Sequence, residues 1–424
     1  MKKVLLFIAA IVLAGPVMFG QVRNCGTQEH EAVLKAKYPG YEEQRAAIED
    51  FTNKFVARQH SEGKSMGGVT VTIPIVFHVV YKTAAQNIPD DRLLEQISIL
   101  NEDFRRLNAD TSDTPFDFKD EAADCGIEFC LAQVDPAGNP TTGILRVSTT
   151  VNSFGTDDAV KFTADGGDDA WPADSYLNFW VCNLGASLLG YAQFPGGPAA
   201  TDGVVIHYNH VGLNDAGYPY HLGRTATHEI GHWLNLRHIW GDDGTACTGS
   251  DLVGDTPNQA DEHYGCATFP AVSCSNGPNG DMFMNYMDYS DDRCMYMFTT
   301  GQKDRMQATL KTGGSRNSVT TSGKCGAQPP QFIHTSAASI NVVPNPVVSG
   351  VANVTYKLEN AANIQLLVSD MYGNAQKNIN IGAQTAGSYN IQPAELSQLK
   401  DGVYLIKLIA NGEEIATTRF MVSR

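Results

Sequence analysis

Residues 228–238 read His-Glu-Ile-Gly-His-Trp-Leu-Asn-Leu-Arg-His. Helical positions four apart share a face, so the rings of His228 and His232 can both point at one metal ion. Zinc takes imidazole nitrogens as ligands. Glu229 would then stand beside the ion without binding it, where it can take a proton from a water that the metal activates. The spacing therefore predicts a zinc-dependent hydrolase with Glu229 as the general base.

A third histidine follows His232 by six residues, and a continuing helix would carry it to another face. The helix must therefore end between the two. Asn235 lies where this reversal is needed, and asparagine is, after glycine, the residue that most often adopts a positive φ at such a point. Once the chain has turned back, His238 becomes a third protein ligand. One zinc position stays open, which is typical of a catalytic site.

The pattern His-Glu-x-x-His-x-x-x-x-x-His resembles the zinc signature of the metzincin peptidases, with Asn235 where most of that clan has glycine. The longer run of residues 227–240 is similar to the pappalysin family, including its bacterial members. The resemblance implies an α+β catalytic domain with a mixed twisted sheet, a backing helix and an active-site helix. A loop-rich C-terminal subdomain with a methionine turn would follow.

Residues 285–289 read Asn-Tyr-Met-Asp-Tyr and supply such a methionine turn. The resemblance implies that Met287 forms the apolar floor under the zinc. It also implies that Tyr289 binds zinc in the resting site or donates a hydrogen bond to the oxyanion in the transition state.

Some members of the resembled family cleave before Arg or Lys by means of an acidic residue shortly after the methionine turn. Asp291 and Asp292 could serve as that substrate pocket here. Arg293 lies next to them and could neutralise it, so a basic preference is only one of the readings the sequence allows.

Length and charge exclude several classes of protein. The 424 residues leave room for two or three domains, and a net charge of -16 argues against nucleic acid as a partner. Residues 1–20 join a Met-Lys-Lys start to an apolar run too short to span a bilayer, which predicts a secretory signal peptide. No other segment predicts a membrane span. Residues 21–65 are polar and helix-prone, and we interpret them as a removable pro-segment.

The nine cysteines leave at least one without an intramolecular partner. Four of them lie in the loop-rich segment after the zinc helix, and the sequence alone allows three pairings among these four. The resemblance implies two disulfides there, Cys247–Cys274 and Cys266–Cys294. The pairing of the others is left open, and these are Cys125, Cys130, Cys182 and Cys325.

Cys25 is the candidate for the unpaired cysteine, because it lies near the start of the pro-segment. A thiolate is a good zinc ligand. By resemblance to pappalysin-type zymogens, Cys25 would occupy the open zinc position and exclude water until the pro-segment is cut. A disordered tail cysteine and a disulfide with Cys325 are the alternatives.

Residues 241–264 are rich in Asp and Gly, which places hard oxygen ligands on a flexible loop. Asp251, Asp255 and Thr256 are the candidates for a structural calcium site, since calcium takes six to eight oxygen ligands. A solvated acidic loop is the alternative.

The remaining patterns fill in the peptidase domain, residues 66–314. Apolar residues at steps of four and three from Leu93 to Leu107 predict an amphipathic backing helix. The Thr299-Thr300-Gly301-Gln302 run resembles a capping box at a helix start. Runs rich in β-branched and apolar residues predict strands at 69–81, 127–133, 143–149 and 177–184, and a candidate edge strand at 188–194.

The C-terminal part of the chain differs in composition. Residues 315–336 are rich in Gly, Ser, Thr and Pro, which is typical of a linker. Residues 337–424 alternate short strands with glycine turns and predict a small all-β sandwich. With Pro344-Asn345-Pro346 early and Asp401-Gly402-Val403-Tyr404 late, this block resembles the sorting domain of the bacterial type IX secretion system. An Ig-like binding module is the alternative.

We therefore expect a secreted zinc endopeptidase that acts on proteins or peptides, is made as a zymogen and is exported across the periplasm and outer membrane by the type IX machinery. A secreted binding protein or adhesin with a structural zinc is the alternative from another class. A zinc hydrolase acting on non-peptide bonds is a third reading. Glu229 favours the peptidase, because a structural zinc helix has no need of a glutamate directly after its first ligand.

Overall fold

The computed structural model describes residues 23–62, 70–185, 188–325, 340–343, 347, 352–358, 361–370 and 375–422. The chain divides into two compact units, residues 1–327 and 328–424. The predicted signal peptide, residues 1–20, lies outside the described residues. Within the described part of the chain, we find no helix with the length and apolar character that a membrane crossing needs.

The first unit is built on one six-stranded sheet. Its elements are α1 (Thr27–Lys37), α2 (Tyr41–Glu62), β1 (Val71–Tyr81), α3 (Asp90–Phe104), β2 (Ile127–Leu131), β3 (Ile144–Ser148), β4 (Leu177–Cys182), β5 (Gly190–Ala192), β6 (Val204–His207), α4 (Arg224–Trp233) and α5 (Thr300–Leu310). The strand order is β2-β1-β4-β6-β5, and β3 pairs with the second half of β1. The predicted strands and the backing helix are thereby confirmed, except that α3 ends at Phe104 and Leu107 lies beyond it, 56% exposed.

All strand pairs of this sheet are parallel except the last, in which β5 runs antiparallel to β6. The long β1 strand is buried along almost its whole length, as expected for a central parallel strand. Strand β6 was not predicted, because its four residues, Val-Val-Ile-His, are too short a run to show a period. The antiparallel β5 forms the sheet edge beside the zinc helix, where the sequence predicted an edge strand.

Helices α3 and α4 cover one face of the sheet. Leu93, Leu100 and Phe104 of α3 are fully buried and join Ile230 and Trp233 of α4 in the main core. Helix α5 begins with the predicted capping box: the Gln302 N–H donates to the Thr299 hydroxyl at 3.1 Å, and the Thr299 N–H donates to the Gln302 side chain at 2.9 Å.

Residues 234–299 connect α4 to α5 and contain only single-turn 3-10 helices. Two disulfides lie in this stretch, Cys247–Cys274 and Cys266–Cys294, which are the two pairs that the resemblance implied. This stretch is the loop-rich subdomain expected for the fold class.

The predicted linker, residues 315–336, begins too early. Val319 is 1% exposed and belongs to the main core, and Arg316 is buried against the ring of Trp233. A disulfide also joins Cys325 to Cys130 of β2, 195 residues away. The first unit therefore extends past residue 314. The prediction missed this, because one buried valine, one arginine and one disulfide hold the segment and its polar composition does not reveal them. Cys325 is thus not the partner of Cys25, and Cys130 is not a free thiol.

The second unit has two antiparallel sheets around its own core. One sheet has the order β10-β9-β12-β13 and the other the order β11-β8-β7. The strands are β7 (Ile340–Val343), β8 (Asn353–Leu358), β9 (Ala362–Asp370), β10 (Ala375–Gln384), β11 (Gly387–Ile391), β12 (Gly402–Ala410) and β13 (Glu413–Val422). Alternating residues of β8 are buried, as a strand with one face on a core requires. The predicted all-β unit is confirmed, and Pro344-Asn345-Pro346 lies outside the described residues.

Candidate metal centre and cleft

Three histidines converge at the C-terminal end of α4. His228 and His232 lie one turn apart on the helix, and the chain reverses at Asn235, which has φ +75°. The reversal brings His238 back, so that the Nε2 atom of His232 lies 3.1 Å from the Nε2 atoms of both His228 and His238. All three rings are buried. The structure thus brings together the three residues that the sequence proposed as zinc ligands.

The hydrogen bonds of these rings test whether a cation fits among them. Each Nδ1 atom faces an oxygen acceptor: the carbonyl of Tyr286 at 2.7 Å for His228, the carbonyl of Leu236 at 2.8 Å for His232, and the carboxylate of Asp242 at 2.5 Å for His238. Each Nδ1 therefore carries the proton, which leaves every Nε2 with a lone pair. Three lone pairs that meet in a buried space repel one another unless a cation lies between them, and tetrahedral zinc suits this donor set.

A thiol completes the cluster. The sulfur of Cys25 and the ring nitrogens of His228, His232 and His238 all lie within 4.8 Å of one another. Burial raises the pKa of the Cys25 thiol, and the nearby Glu229 raises it further. A bound zinc ion would act in the opposite direction and favour the thiolate.

Glu229 points into the same cluster and is 1% exposed. Its Oε2 atom accepts a hydrogen bond from the Thr27 hydroxyl at 3.0 Å and lies 3.4 Å from the sulfur of Cys25. Burial raises the pKa of Glu229 to about 7. A carboxyl group with this pKa can take up and release a proton near neutral pH.

The methionine turn lies under the helix. Met287 is fully buried, and a Cβ atom added to Gly231 would come within 2.5 Å of its sulfur, so a larger residue there would force the Met287 side chain to move. Tyr289 is 7% exposed and its ring lies 5.0 Å from that of His238 and 4.8 Å from that of Trp240, measured between centroids.

The edge strand β5 lies over the metal cluster, and residues 24–26 from the N-terminal end of the described chain pair with it. The Gly26 N–H donates to the Gly190 carbonyl at 2.9 Å, and the Leu189 N–H donates to the Asn24 carbonyl at 3.1 Å. This pairing is parallel. Gly190 also allows β5 to lie close to α4, because a Cβ atom at Gly190 would lie 3.0 Å from the side chain of Glu229.

The two acidic candidates after the methionine turn have different partners. Asp292 is fully buried; its Oδ1 atom contacts a guanidinium nitrogen of Arg23 at 2.5 Å, and its Oδ2 atom accepts the Leu222 N–H at 2.8 Å. Asp291 lies 3.8 Å from Arg293, whose side chain is 57% exposed. Arg293 therefore does not neutralise Asp292.

Arg23 was not singled out in the sequence, although it precedes Cys25 by only two residues. Its guanidinium lies 4.7 Å above the centre of the Tyr220 ring, and its backbone N–H donates to the Tyr220 hydroxyl at 2.8 Å. Because 269 residues separate Arg23 from Asp292, no local pattern could have paired them.

Asp103 of the backing helix was also missed. One of its carboxylate oxygens accepts the Thr227 hydroxyl at 2.7 Å, and the other accepts the Tyr286 hydroxyl at 2.7 Å. It therefore joins the zinc helix to the methionine turn. A polar residue within the apolar stripe of α3 was the only signal in the sequence.

Two of the three calcium candidates, Asp251 and Thr256, contact each other in the structure, whereas Asp255 has other partners. The Thr256 hydroxyl lies 2.8 Å from a carboxylate oxygen of Asp251 and 3.2 Å from the carbonyl of Val253. Asp255 instead accepts the Thr299 hydroxyl and the Gly301 N–H, both at 2.7 Å. Asp255 therefore holds the start of α5.

His263 in the loop-rich subdomain lies between two carboxylates. Its Nδ1 atom is 3.0 Å from Asp288, which follows Met287, and its Nε2 atom is 3.3 Å from Asp281. Burial alone would lower the pKa of His263, but the hydrogen bonds and charges of Asp281 and Asp288 outweigh it and raise the pKa to about 10. The charged imidazolium thus stabilises the folded state.

We expect His263→Gln to lower the melting temperature most at pH 6 and hardly at all at pH 10. A histidine whose pKa rises on folding contributes its full stabilisation below the unfolded value of about 6.5, and this is lost as the pH rises through about 10. Thermal unfolding of both proteins across this range measures the difference. An equal loss at every pH would contradict a charged His263.

Comparison with known proteins gives consistent matches. The model of a peptidase family described as Pregnancy-associated plasma protein-A matches residues 162–311, and that of a secretion system C-terminal sorting domain matches residues 341–423. An extracellular metalloprotease of Verticillium alfalfae is 33% identical over 72% of this chain and 97% of its own length. One of Arthroderma gypseum is 31% identical over 71% of this chain and 88% of its own length.

Two solved structures from Tannerella forsythia resemble this chain. Mature mirolysin in complex with a cleaved peptide has a TM-score of 0.59 and 52% identity over 60% of this chain and 96% of its own. A promirolysin variant has a TM-score of 0.64 and 46% identity over 70% of this chain and 97% of its own.

Proposed function

The chain belongs to the pappalysin, or pregnancy-associated plasma protein-A, family of metallopeptidases, and from that membership we propose that it is secreted as a zymogen whose own N-terminal segment blocks the zinc site. It is a secreted zinc metalloendopeptidase. The observation that carries the proposal is the convergence of three histidine lone pairs, the Cys25 sulfur and the Glu229 carboxylate in one buried cluster.

In the mechanism we propose, His228, His232 and His238 hold the zinc ion, which when bound supplies Lewis acidity and lowers the pKa of water. Glu229 takes a proton from the attacking water and passes it to the leaving amine, so that one carboxylate acts first as base and then as acid. The Tyr289 hydroxyl donates a hydrogen bond to the developing oxyanion. The backbone of β5 pairs with the extended substrate and fixes its direction.

For specificity we propose cleavage before a basic residue. Asp292 has one carboxylate oxygen held by the backbone, and the other is directed at Arg23. Arg23 thus stands in for the side chain of the residue after the scissile bond, and Tyr220 supplies a ring surface for the same guanidinium. Asp291 is left with the exposed Arg293 and is the weaker candidate.

Latency follows from the same contacts. Cys25 would fill the open zinc position, Thr27 engages Glu229, and Arg23 fills the pocket at Asp292. Residues 24–26 run parallel to β5, so their chain direction would be the reverse of that of a substrate pairing antiparallel to β5. The promirolysin match extends over about a tenth more of this chain than the mature mirolysin match, in keeping with a pro-segment at residues 21–65.

A binding protein with a structural zinc is less consistent with the site. A structural zinc is normally held by four protein ligands. Here the fourth is Cys25, which comes from the segment that we assign to the pro-region, so that its removal leaves three histidines and an open position.

We also propose one structural calcium ion at Asp251, Val253 and Thr256. The single hydroxyl hydrogen of Thr256 can serve only one of its two oxygen neighbours, whereas a cation would satisfy all three oxygens at once. Asp255 is not a ligand in this proposal, since both of its oxygens hold the start of α5.

Asp251→Asn is expected to abolish the rise in melting temperature that calcium gives the wild type. Asp255→Asn is the matched control, and it should lower the melting temperature equally with and without calcium. Thermal unfolding in calcium and in a calcium-selective chelator measures both. If the wild type has the same melting temperature in calcium and in the chelator, the calcium site is contradicted.

For export we propose the type IX route, in which the all-β unit acts as the sorting signal. The support is the sorting-domain match at residues 341–423, which spans the second compact unit almost completely. Proteins or peptides outside the cell are then the substrates.

The test of the function is cleavage of casein and of a peptide library by protein freed of residues 21–65, with its zinc content measured by elemental analysis. We expect one zinc per chain, cuts before Arg or Lys, and little activity in the full chain. A processed protein that holds one zinc and cuts nothing would overturn the peptidase and favour a binding role.

A further inference from the structure

The residue that ends the zinc helix has a second set of contacts. Asn235 is fully buried, and both ends of its side-chain amide are used by the pro-segment helix α2. Its Oδ1 atom accepts a hydrogen bond from Arg45 at 2.7 Å, and its Nδ2 atom donates to the Thr52 hydroxyl at 3.4 Å. Glycine would make the same turn but would offer neither contact.

Arg45 is 7% exposed and has further partners on the catalytic domain. Its guanidinium donates to the Pro195 carbonyl at 3.2 Å and lies 4.7 Å above the centre of the Phe194 ring. The Phe194 ring in turn lies 5.4 Å from that of the zinc-ligand candidate His232. Arg45 also lies 3.7 Å from Glu31 and 3.6 Å from Glu49 of its own segment, so its charge keeps partners there. Its hydrogen bonds to the catalytic domain are buried and charge-assisted, and their loss is therefore costly.

An ion pair between α2 and the catalytic domain lies beside these Arg45 contacts. Both carboxylate oxygens of Glu49 contact one guanidinium nitrogen of Arg305, at 3.0 and 2.9 Å, and the same nitrogen donates to the Asn235 carbonyl at 3.2 Å. Arg45, Glu49 and Thr52 are spaced four and three residues apart, so they share one face of α2. That face contacts the side chain of Asn235 directly and is linked to its carbonyl through Arg305.

The shape of the catalytic domain also fits this helix. A Cβ atom at Gly196 would lie 3.1 Å from Ile48, and one at Gly313 would lie 3.1 Å from Phe51. Two glycines therefore let α2 approach closely on either side of the polar contacts.

We propose that Asn235 and its surroundings form a docking surface for α2, and that this docking holds the zymogen closed independently of the Cys25 thiol. The proposal rests on the proposed zymogen function. It implies that the pro-segment stays bound after the chain is cut behind α2, and that release requires its further destruction or dissociation.

Latency is the first test, on the full chain. We compare wild type, Arg45→Ala with Thr52→Val, Cys25→Ser, and all three substitutions together. The processed enzymes are identical in sequence, because every change lies in the removed segment. Lys54→Ala is the matched control, since Lys54 is 71% exposed on the same helix and pairs only with Asp50 in the contacts described.

Peptide hydrolysis is measured before processing and as a fraction of the processed activity. We expect Cys25→Ser to remain at least about tenfold below the processed enzyme, and the α2 double variant to convert about tenfold faster than wild type, as the loss of a buried charge-assisted hydrogen bond predicts. The triple variant should approach the processed activity. A Cys25→Ser chain as active as the processed enzyme, or a double variant that converts at the wild-type rate, would overturn the second lock.

Binding is tested without relying on activity, in the Glu229→Ala background. The chain is cut with trypsin behind α2, where Lys64 offers a site, and the products are separated by gel filtration. The wild-type fragment should remain bound and the Arg45→Ala, Thr52→Val fragment should be released. Retention of both would refute the docking surface, whereas a wild-type chain that has lost the fragment, holds zinc and is still inactive would refute the peptidase instead.

The Asn235→Gly variant measures the energetic coupling between Asn235 and the two α2 side chains, Arg45 and Thr52. Glycine tolerates φ +75°, so the turn can be kept. In this background the Arg45→Ala, Thr52→Val pair is expected to change fragment retention less than in the wild type, because the Asn235 amide is absent and only the contacts of Arg45 with Pro195 and Phe194 remain to be lost. A full effect of the pair in the Asn235→Gly chain would show that Asn235 is not the receptor.

Discussion

Glu229→Gln in the processed enzyme lowers kcat by about a thousandfold or more, with KM little changed, as expected for a lost general base. Glutamine keeps the size of the side chain and its hydrogen-bonding oxygen but cannot take up a proton. With Cys25 and Thr27 in place, Glu229 is buried and its pKa is raised to about 7, and it is the carboxyl group of the cluster best placed for that step.

Zinc content decides how this result is read. Glu229 is not one of the three lone-pair nitrogens, so elemental analysis should find the same zinc in the variant as in the wild type. Glu128→Gln is the matched control: this half-buried carboxylate of β2 pairs with Arg105, has no contact with the metal cluster in the contacts described, and should leave kcat within about twofold of the wild type. Full activity in Glu229→Gln, or loss of activity together with zinc, would remove Glu229 from the role of base.

The metal cluster was predictable because its information is local. His228, Glu229 and His232 lie within one helical turn and a half, and the reversal that returns His238 depends on one residue, Asn235, which the structure finds at positive φ. The fold class was implied by the family resemblance that this motif carries, and the periods of the strands and the backing helix agreed with it. These patterns need no knowledge of the rest of the chain.

Long-range pairings were not predictable in the same way. Arg23 meets Asp292 across 269 residues, and Cys130 meets Cys325 across 195. Nothing local distinguishes either partner. The second role of Asn235 was hidden for the same reason, because the sequence shows that a turn is needed but not which segment packs on it.

Residue type alone also grouped side chains that have different partners in the structure. Asp255 was grouped with Asp251 as a calcium ligand because both lie in an acidic loop. In the structure, both oxygens of Asp255 hold the N-terminal end of α5. A carboxylate satisfies free N–H groups at a helix start as readily as it binds a cation, and only the position of the helix distinguishes the two roles.

The second large effect concerns the substrate pocket. Asp292→Asn is expected to lower kcat/KM for substrates with Arg after the scissile bond by about a hundred- to a thousandfold, since it removes one partner of a buried charge pair. The asparagine oxygen can still accept the Leu222 N–H in place of Oδ2. Its NH2 group would then face the substrate guanidinium, so that two donors meet where an ion pair is needed.

Substrates that differ only at that position separate a pocket effect from a general loss. With Gln after the scissile bond, wild type and Asp292→Asn should be cut at similar rates, because no charge pair is at stake. Asp291→Asn is the matched control and should change neither rate by more than about twofold, since its partner Arg293 is solvent-exposed. If Asp291→Asn removes the preference for Arg and Asp292→Asn keeps it, then Arg23 marks a contact that only the zymogen uses, and the pocket lies at the other carboxylate.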